Sequence, residues 1–239
     1  MHYLKSRLIE SIYISIEFIL YLLIVFIPLP NFAVRCLMIT SIVINAATAI
    51  ALRKHEIFIF ALLMTIGADT CLSYLSPQNF EGGITFFVIT QLVYAVYFAV
   101  FDENKKREYI IIAFRAFFMV LLSIVAFIVL KDTPNYDSMA YVICFVMLYV
   151  PNLVCNLITA FLLNNKLMGI GFTLFLLCDT FIGLNVIFTS IMPLASNHPF
   201  LKFLNLINWP WLFYVPSQVL IVISEKHGSH FLLAKKSKE

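Results

Sequence analysis

Residues 57–76 read IFIFALLMTIGADTCLSYLS, an apolar run of 20 residues that holds one charged side chain, Asp69. A run of this length suits an α-helix that crosses a membrane, since the hydrocarbon core is spanned by about 20 mostly apolar residues. A charge at that depth is costly unless it is paired, hydrated or protonated, so an aspartate there is a functional candidate. The run therefore predicts a membrane-spanning helix with a functional carboxyl group inside it.

The composition extends this interpretation to the whole chain. With 62% hydrophobic and 12% charged residues and a mean hydropathy of +0.96, the chain has too little polar surface for a soluble protein. We expect an all-α polytopic integral membrane protein that forms one transmembrane domain over residues 1–239, with the first apolar stretch retained as a span. Eight spans are predicted, at 9–28, 33–52, 57–76, 82–101, 108–130, 138–163, 167–190 and 207–224.

Lysine and arginine residues lie mostly between the predicted spans. Positive charge is enriched in cytoplasmic loops, so we expect the two termini to be cytoplasmic, together with the loops at Arg53, Lys105 and Lys166. This topology leaves Arg35, Lys131 and Lys202 near the outer side. The basic residues form no face with interleaved aromatics, which excludes nucleic acid as a partner.

Cysteine and histidine are placed where they support no metal chemistry. All five cysteines fall within predicted spans, without the paired spacing of a zinc site or a disulfide framework. All five histidines fall in termini or loops, so no imidazole is expected at bilayer depth. A membrane zinc hydrolase and a histidine-assisted serine protease are therefore excluded, and we expect no metal and no cofactor.

A second aspartate, Asp179, lies in another apolar stretch and resembles the first in its setting. Each aspartate precedes a threonine and lies 12 residues after the expected helix start, Ile57 or Leu167. The two carboxyl groups are therefore expected at the same depth, within one water-bridged contact of each other. Gln91 and Gln218 occupy similar positions in the span that follows each aspartate, and so two four-helix repeats are possible.

Other polar residues recur at helical spacing inside the spans and are predicted to line a polar cavity around the aspartates. The alternative is that each stripe only hydrogen-bonds neighbouring helices of the bundle. Arg115 has no acidic neighbour on its own helix, so we expect it to pair with Glu17. The candidate substrate-binding residues are Gln91, Tyr94, Tyr149, Asn152, Asn156, Asn185, Tyr214 and Gln218.

The region from about residue 58 to 224 resembles the YhhN-type lysoplasmalogenase family, and the resemblance implies eight spans in a bacterial cytoplasmic membrane. Some members hydrolyse the vinyl ether bond of lysoplasmalogens, so a lysophospholipid substrate and contact with membrane lipid are implied. Asp69 and Asp179 resemble the two acids of the family signature, while Ala68, Cys178 and Gln91 replace its usual glycine, serine and histidine. Further matching residues are Phe80, Gly83, Phe87, Tyr94, Phe175, Thr180, Gly183, Asn185, Tyr214 and Gln218.

Two carboxyl groups suit vinyl ether hydrolysis independently of the resemblance. The reaction protonates the β-carbon and creates an oxocarbenium ion, so it needs one acid and one nearby negative charge, as in glycosidases. In a low-dielectric site, two neighbouring carboxyl groups resist double ionisation and naturally supply one of each. We expect Asp69 and Asp179 to be the catalytic residues. Asp179 is favoured as the acid because Cys178 beside it is a weaker hydrogen-bond donor than serine.

Two other functions remain open at this stage. A membrane transporter or proton-coupled carrier would also place acidic groups at mid-depth between repeats. A lipid-binding protein without activity is the third interpretation. Against a carrier, the spans lack paired glycine and proline interruptions beside both aspartates.

Overall fold

The computed structural model describes residues 2–74, 79–131, 136–191, 198–204 and 206–225, which are helices joined by short connections. Two helices continue into π-helical turns, α3 at Thr70–Tyr74 and α7 at Ile187–Ile191. The α-helices are α1 His2–Phe26, α2 Asn31–Ala51, α3 Glu56–Asp69, α4 Phe80–Phe101, α5 Lys105–Leu130, α6 Tyr136–Leu162, α7 Lys166–Val186, α8 Pro199–Leu204 and α9 Trp209–Ser224.

The all-α class and the membrane character expected from the composition are confirmed. Six helical segments in the described residues are long and apolar enough to cross a membrane: Leu4–Phe26, Asn31–Ala51, Glu81–Phe101, Lys105–Ile128, Lys166–Thr189 and Pro199–Ser224. The predicted spans 57–76 and 138–163 coincide with α3 and α6. The α-helical part of α3 has only 14 residues before its π-helical turn, so eight spans remain a prediction.

Short connections end in polar side chains that start the next helix. Asn79, Asn104 and Asn165 each precede a helix, and each side-chain oxygen accepts a hydrogen bond from the backbone N–H three residues later, at 2.8, 3.1 and 3.2 Å. Such a cap satisfies one of the free N–H groups of a first turn. These asparagines therefore set where α4, α5 and α7 begin.

One end of the bundle gathers several connections, and we call it the basic end because Arg53, Lys54, Lys105 and Lys166 lie there. Contacts between the connections show that they meet: Arg107 Nη1 donates to the Leu162 carbonyl at 3.1 Å, and Asn165 Nδ2 donates to the Ser224 carbonyl at 3.3 Å. Lys54 Nζ lies 3.7 Å from the Glu225 carboxylate and also donates to the Glu225 carbonyl oxygen. The α2–α3, α4–α5 and α6–α7 connections and the end of α9 therefore share one side.

The closest helix pairs are α7 with α9 and α3 with α4, and α6 contacts both α4 and α7. Helix α5 packs mainly on α6, at the edge of the bundle, whereas α1 and α2 cover α9. Gly171 of α7 permits close approach, since a Cβ there would lie 2.7 Å from Ile221 Cγ1 and 3.0 Å from the Ser217 carbonyl. The centre of the bundle is thus built from α3, α4, α6, α7 and α9.

Candidate active site

Asp69 and Asp179 lie at equal depth from the basic end. Asp69 is the last residue of α3 and Asp179 lies inside α7, each 13 residues after the first residue of its helix. At 1.5 Å per residue, both lie about 20 Å from the basic end. The π-helical turn of α3 follows Asp69 directly, and such turns are frequent at functional sites.

Each aspartate accepts a hydrogen bond from a tyrosine of another helix. Tyr149 of α6 donates to Asp179 Oδ2 at 2.5 Å, and Tyr214 of α9 donates to Asp69 Oδ2. Asp69, Tyr149 and Tyr214 are buried, with 5%, 6% and 4% of their surface exposed. The two carboxyl groups are close enough for their charges to interact, so four helices bring one acidic cluster together.

Aromatic rings enclose the acidic cluster. Phe175 packs against Tyr214 with ring centroids 5.5 Å apart, and Phe87 packs against Tyr149 at 5.8 Å and against Phe175 at 5.7 Å. The Cys178 thiol is also buried and interacts electrostatically with both aspartates. The carboxyl groups therefore lie in an apolar surrounding, where electrostatic interactions are stronger than in water.

A second aromatic cluster lies beyond the aspartates, on the side away from the basic end. Phe181 stacks on Trp209 at 5.1 Å and on Phe213 at 5.6 Å, and Trp209 contacts Phe203 at 4.8 Å. Phe181 follows Asp179 by two residues on α7. The acidic cluster thus borders apolar side chains in this direction.

A polar network lies between the aspartates and the basic end. Arg115 donates from Nη1 to Asn152 Oδ1 at 2.6 Å and from Nη2 to Asn156 Oδ1 at 3.1 Å. Asn156 Nδ2 in turn donates to Gln91 Oε1 at 2.9 Å and to the Gln91 carbonyl at 2.8 Å. Three of the candidate substrate-binding residues therefore form one network that α5 completes.

The expected pairing of Arg115 with Glu17 is wrong. Glu17 is buried between α1 and α2 and accepts a hydrogen bond from Ser41 at 2.6 Å. Helix α5 lies across α6 instead, so Arg115 meets the asparagines of α6. The signal available in the sequence was a cation at mid-depth with no acid at helical spacing, but helical spacing does not reveal which helix is adjacent.

The remaining candidate residues differ in their relation to the aspartates. Tyr94 is buried among rings, with Phe172 at 5.1 Å and Phe58 at 5.9 Å. Gln218 is also buried, and its Oε1 has no hydrogen-bond partner among the described residues. Asn185 is exposed, so the structure does not bring it into the acidic cluster.

In the described part of the chain, no three histidine, cysteine, aspartate or glutamate residues lie together as metal ligands. The chemistry available to the site is therefore that of its two carboxyl groups, the two tyrosine hydroxyl groups, the Cys178 thiol and the neighbouring amides.

Comparison with known protein families gives a match to the model of the YhhN family over residues 31–224. The matched region contains both aspartates and both tyrosines, and it covers most of the chain. Comparisons with curated proteins and with solved structures found no significant match.

Proposed function

Because the chain belongs to the YhhN family, a family associated with lysoplasmalogenase activity, we propose that it hydrolyses the vinyl ether bond of a lysoplasmalogen to a fatty aldehyde and a glycerophospho head group. The observation that carries this proposal is the pair of interacting carboxyl groups of Asp69 and Asp179, each held by a tyrosine hydroxyl. In an apolar surrounding such a pair favours one neutral and one charged carboxyl group.

In the proposed mechanism, the neutral carboxyl group transfers its proton to the β-carbon of the vinyl ether. The resulting oxocarbenium ion is stabilised by the second, charged carboxyl group. Water then attacks the cationic carbon, and its proton returns to the carboxylate that acted as the acid. The hemiacetal collapses to aldehyde and alcohol, so the cycle consumes one water and restores both aspartates.

We assign the acid to Asp179 and the counter-charge to Asp69. The thiol of Cys178, adjacent to Asp179 on α7, is a weak hydrogen-bond donor and gives little support to a charged neighbour. The aromatic cluster of Phe181, Phe203, Trp209 and Phe213 lies on the far side of Asp179 and suits the alkyl chain.

We also propose eight spans in two repeats of four, with α3 and α4 corresponding to α7 and α9. Two observations support this arrangement. Both aspartates lie 13 residues into their helices, and α3 packs closely on α4 as α7 does on α9.

A proton-coupled carrier is the second candidate function. The observation in its favour is that both aspartate-bearing helices end in π-helical turns, Thr70–Tyr74 and Ile187–Ile191. Helices with interrupted hydrogen bonding near buried acids are typical of carriers. A carrier would use the same aspartates to bind and release a cation without breaking a covalent bond.

Aldehyde release distinguishes the two functions. The purified protein in lipid nanodiscs is incubated with lysoplasmenylethanolamine, and free aldehyde is measured by mass spectrometry. We expect Asp69→Asn and Asp179→Asn each to reduce kcat by at least about 10²-fold, the lower range for general acid catalysis, while binding of a saturated-ether analogue changes little. The double variant should be little slower than either single variant, because the two groups act as one unit.

Glu17→Gln is the matched control, since Glu17 is a buried carboxyl group outside the acidic cluster. It should retain wild-type turnover. Absence of aldehyde with the wild-type protein, together with aspartate-dependent proton flux in liposomes, would reject the hydrolase and favour the carrier.

A further inference from the structure

Arg115 is a buried cation without an acidic partner. No carboxylate of the described residues lies within ion-pair distance of its guanidinium group; the ion pairs there join Lys54 to Glu225, Lys105 to Glu108 and Arg107 to Asp102. Arg115 lies 10 residues into α5, about 15 Å from the basic end. A lone cation at this depth is costly, so an anion that binds there would be strongly favoured.

The amides of α6 orient the guanidinium group without neutralising it. Asn152 and Asn156 accept one hydrogen bond each, on Nη1 and Nη2. The Nε atom is buried and has no hydrogen-bond partner among the described residues. Guanidinium carries five N–H donors in a planar fork, so the two asparagines leave donors free for an anion.

A cavity of about 260 Å³ between α4, α5 and α6 reaches Arg115. Its walls are largely apolar, and Thr159 adds a hydroxyl group near Arg115. The two acids of its lining, Asp102 and Glu108, are held by Arg107 and Lys105 at 2.6 Å each, so they are not available to Arg115. The cavity thus presents one uncompensated positive charge at its inner end.

The guanidinium group is connected to the acidic cluster through α6. Tyr149, which binds Asp179, and Asn152, which binds Arg115, are three residues apart and share one face of the helix. On the measure of helix rise, Arg115 lies about 5 Å closer to the basic end than the two aspartates. In a lysoplasmalogen, the glycerol backbone separates the vinyl ether from the phosphate by a comparable step of three carbons.

We propose that Arg115 binds the phosphate of the substrate head group, which makes the substrate a phospholipid rather than an alkenylglycerol. This inference rests on the proposed function, because it places the vinyl ether at Asp69 and Asp179. The head group then points toward the basic end and the alkyl chain toward the aromatic cluster of Phe181, Phe203, Trp209 and Phe213. Asn152 and Asn156 are positioning residues that hold the guanidinium fork.

The test compares two substrates that differ only in the phosphate-bearing head group, lysoplasmenylethanolamine and 1-O-alkenylglycerol. Arg115→Gln should raise KM for the phospholipid by about 10- to 100-fold, as expected when a charged hydrogen-bonding partner is lost. It should leave kcat/KM for the alkenylglycerol within about twofold of wild type. Arg115→Lys, which keeps the charge but loses the fork, should give an intermediate KM.

Binding of non-cleavable lipids separates this inference from the proposed function. Native mass spectrometry measures the affinity for a saturated-ether lysophosphatidylethanolamine and for the matching alkylglycerol. Arg115→Gln should weaken only the phospholipid, while Arg35→Gln, a cation change at α2, should alter neither. If aldehyde is never released but this difference persists, the hydrolase fails and the phosphate site stands.

Three results would overturn the inference. Equal weakening of both lipids by Arg115→Gln and Arg115→Lys would mean that Arg115 only supports the bundle. An unchanged affinity for the phospholipid in both variants would mean that no phosphate binds there. Displacement of the phospholipid by millimolar inorganic phosphate would assign the site to a free anion, whereas the lipid head group predicts no displacement.

Discussion

At the residue scale, the site depends on two tyrosine hydroxyl groups as much as on the two aspartates. Tyr149 and Tyr214 come from α6 and α9 and donate to the carboxyl groups of Asp179 and Asp69. A donated hydrogen bond stabilises charge on a carboxylate and also fixes the rotamer of its side chain. The tyrosines therefore orient both carboxyl groups toward the same volume.

Removing either hydroxyl group should slow turnover by about 10- to 100-fold, because a hydrogen bond to a charged group contributes about 1.5–3 kcal/mol. Tyr149→Phe and Tyr214→Phe keep the ring packing, so KM should change little. The control is Tyr97→Phe, which removes a hydroxyl group that lies 3.5 Å from Glu225. Steady-state kinetics measures the effect, and wild-type kcat in both cluster variants would contradict the role assigned to the tyrosines.

At the element scale, close contact between α7 and α9 places Asp179 and Tyr214 on neighbouring helices. Small residues allow such approach of helices in membranes, where lipid provides no hydrophobic drive for association. Gly171 lies at this contact, and the space beside it is filled by Ile221 and the Ser217 carbonyl.

Gly171→Ala should destabilise the protein by about 1–3 kcal/mol, the usual cost of overpacking. The added Cβ would lie 2.7 Å from Ile221 Cγ1 and 3.2 Å from the Ile221 backbone nitrogen, so the helices must separate. Gly183→Ala on the same helix is the control, since a Cβ there meets nothing within 4 Å. Thermal unfolding in detergent measures both, and equal melting temperatures would argue against a tight contact at Gly171.

The α4–α5 connection has its own pH dependence. Arg107 donates to both carboxylate oxygens of Asp102, at 2.6 and 2.8 Å, and these hydrogen bonds hold the pKa of Asp102 below its usual value. The stabilisation is therefore complete above the usual pKa of about 4 and is lost as pH falls through the lower pKa of the folded protein.

Asp102→Asn should accordingly lower stability by about 1 kcal/mol at pH 7, the scale of a well-formed but partly exposed ion pair. The difference from wild type should vanish as pH falls toward 3, because the wild-type carboxyl group then becomes neutral too. Melting curves between pH 3 and 7 test this. A difference that is constant with pH would mean that the ion pair contributes nothing.

At the scale of the whole molecule, the basic end is formed by three connections and the end of α9. Asn165, Arg107 and Lys54 hold these segments together through hydrogen bonds to carbonyl groups at the ends of α6 and α9. Because positive charge is retained in the cytoplasm, this end should face the cytoplasm, and the lipid head group proposed for Arg115 would then enter from the inner leaflet.

Labelling of introduced cysteines tests this orientation. Glu103 and His198 are both exposed and lie at the basic end and at the opposite end. In intact cells, a membrane-impermeant maleimide should modify His198→Cys, while Glu103→Cys should react only after permeabilisation. The unmodified parent protein controls for its native cysteines. The reverse pattern would place the basic end outside.

The sequence by itself determined the apolar helices, the equal depth of Asp69 and Asp179, and the family resemblance that the match over residues 31–224 confirms. These features are local, since hydropathy and helix rise depend only on consecutive residues. Only the tertiary structure decided which tyrosine holds which aspartate, that Arg115 meets α6 instead of Glu17, and that Asn185 stays exposed. Helix rotation and adjacency arise from packing between distant segments, as at Gly171, and no local pattern encodes which helix is adjacent.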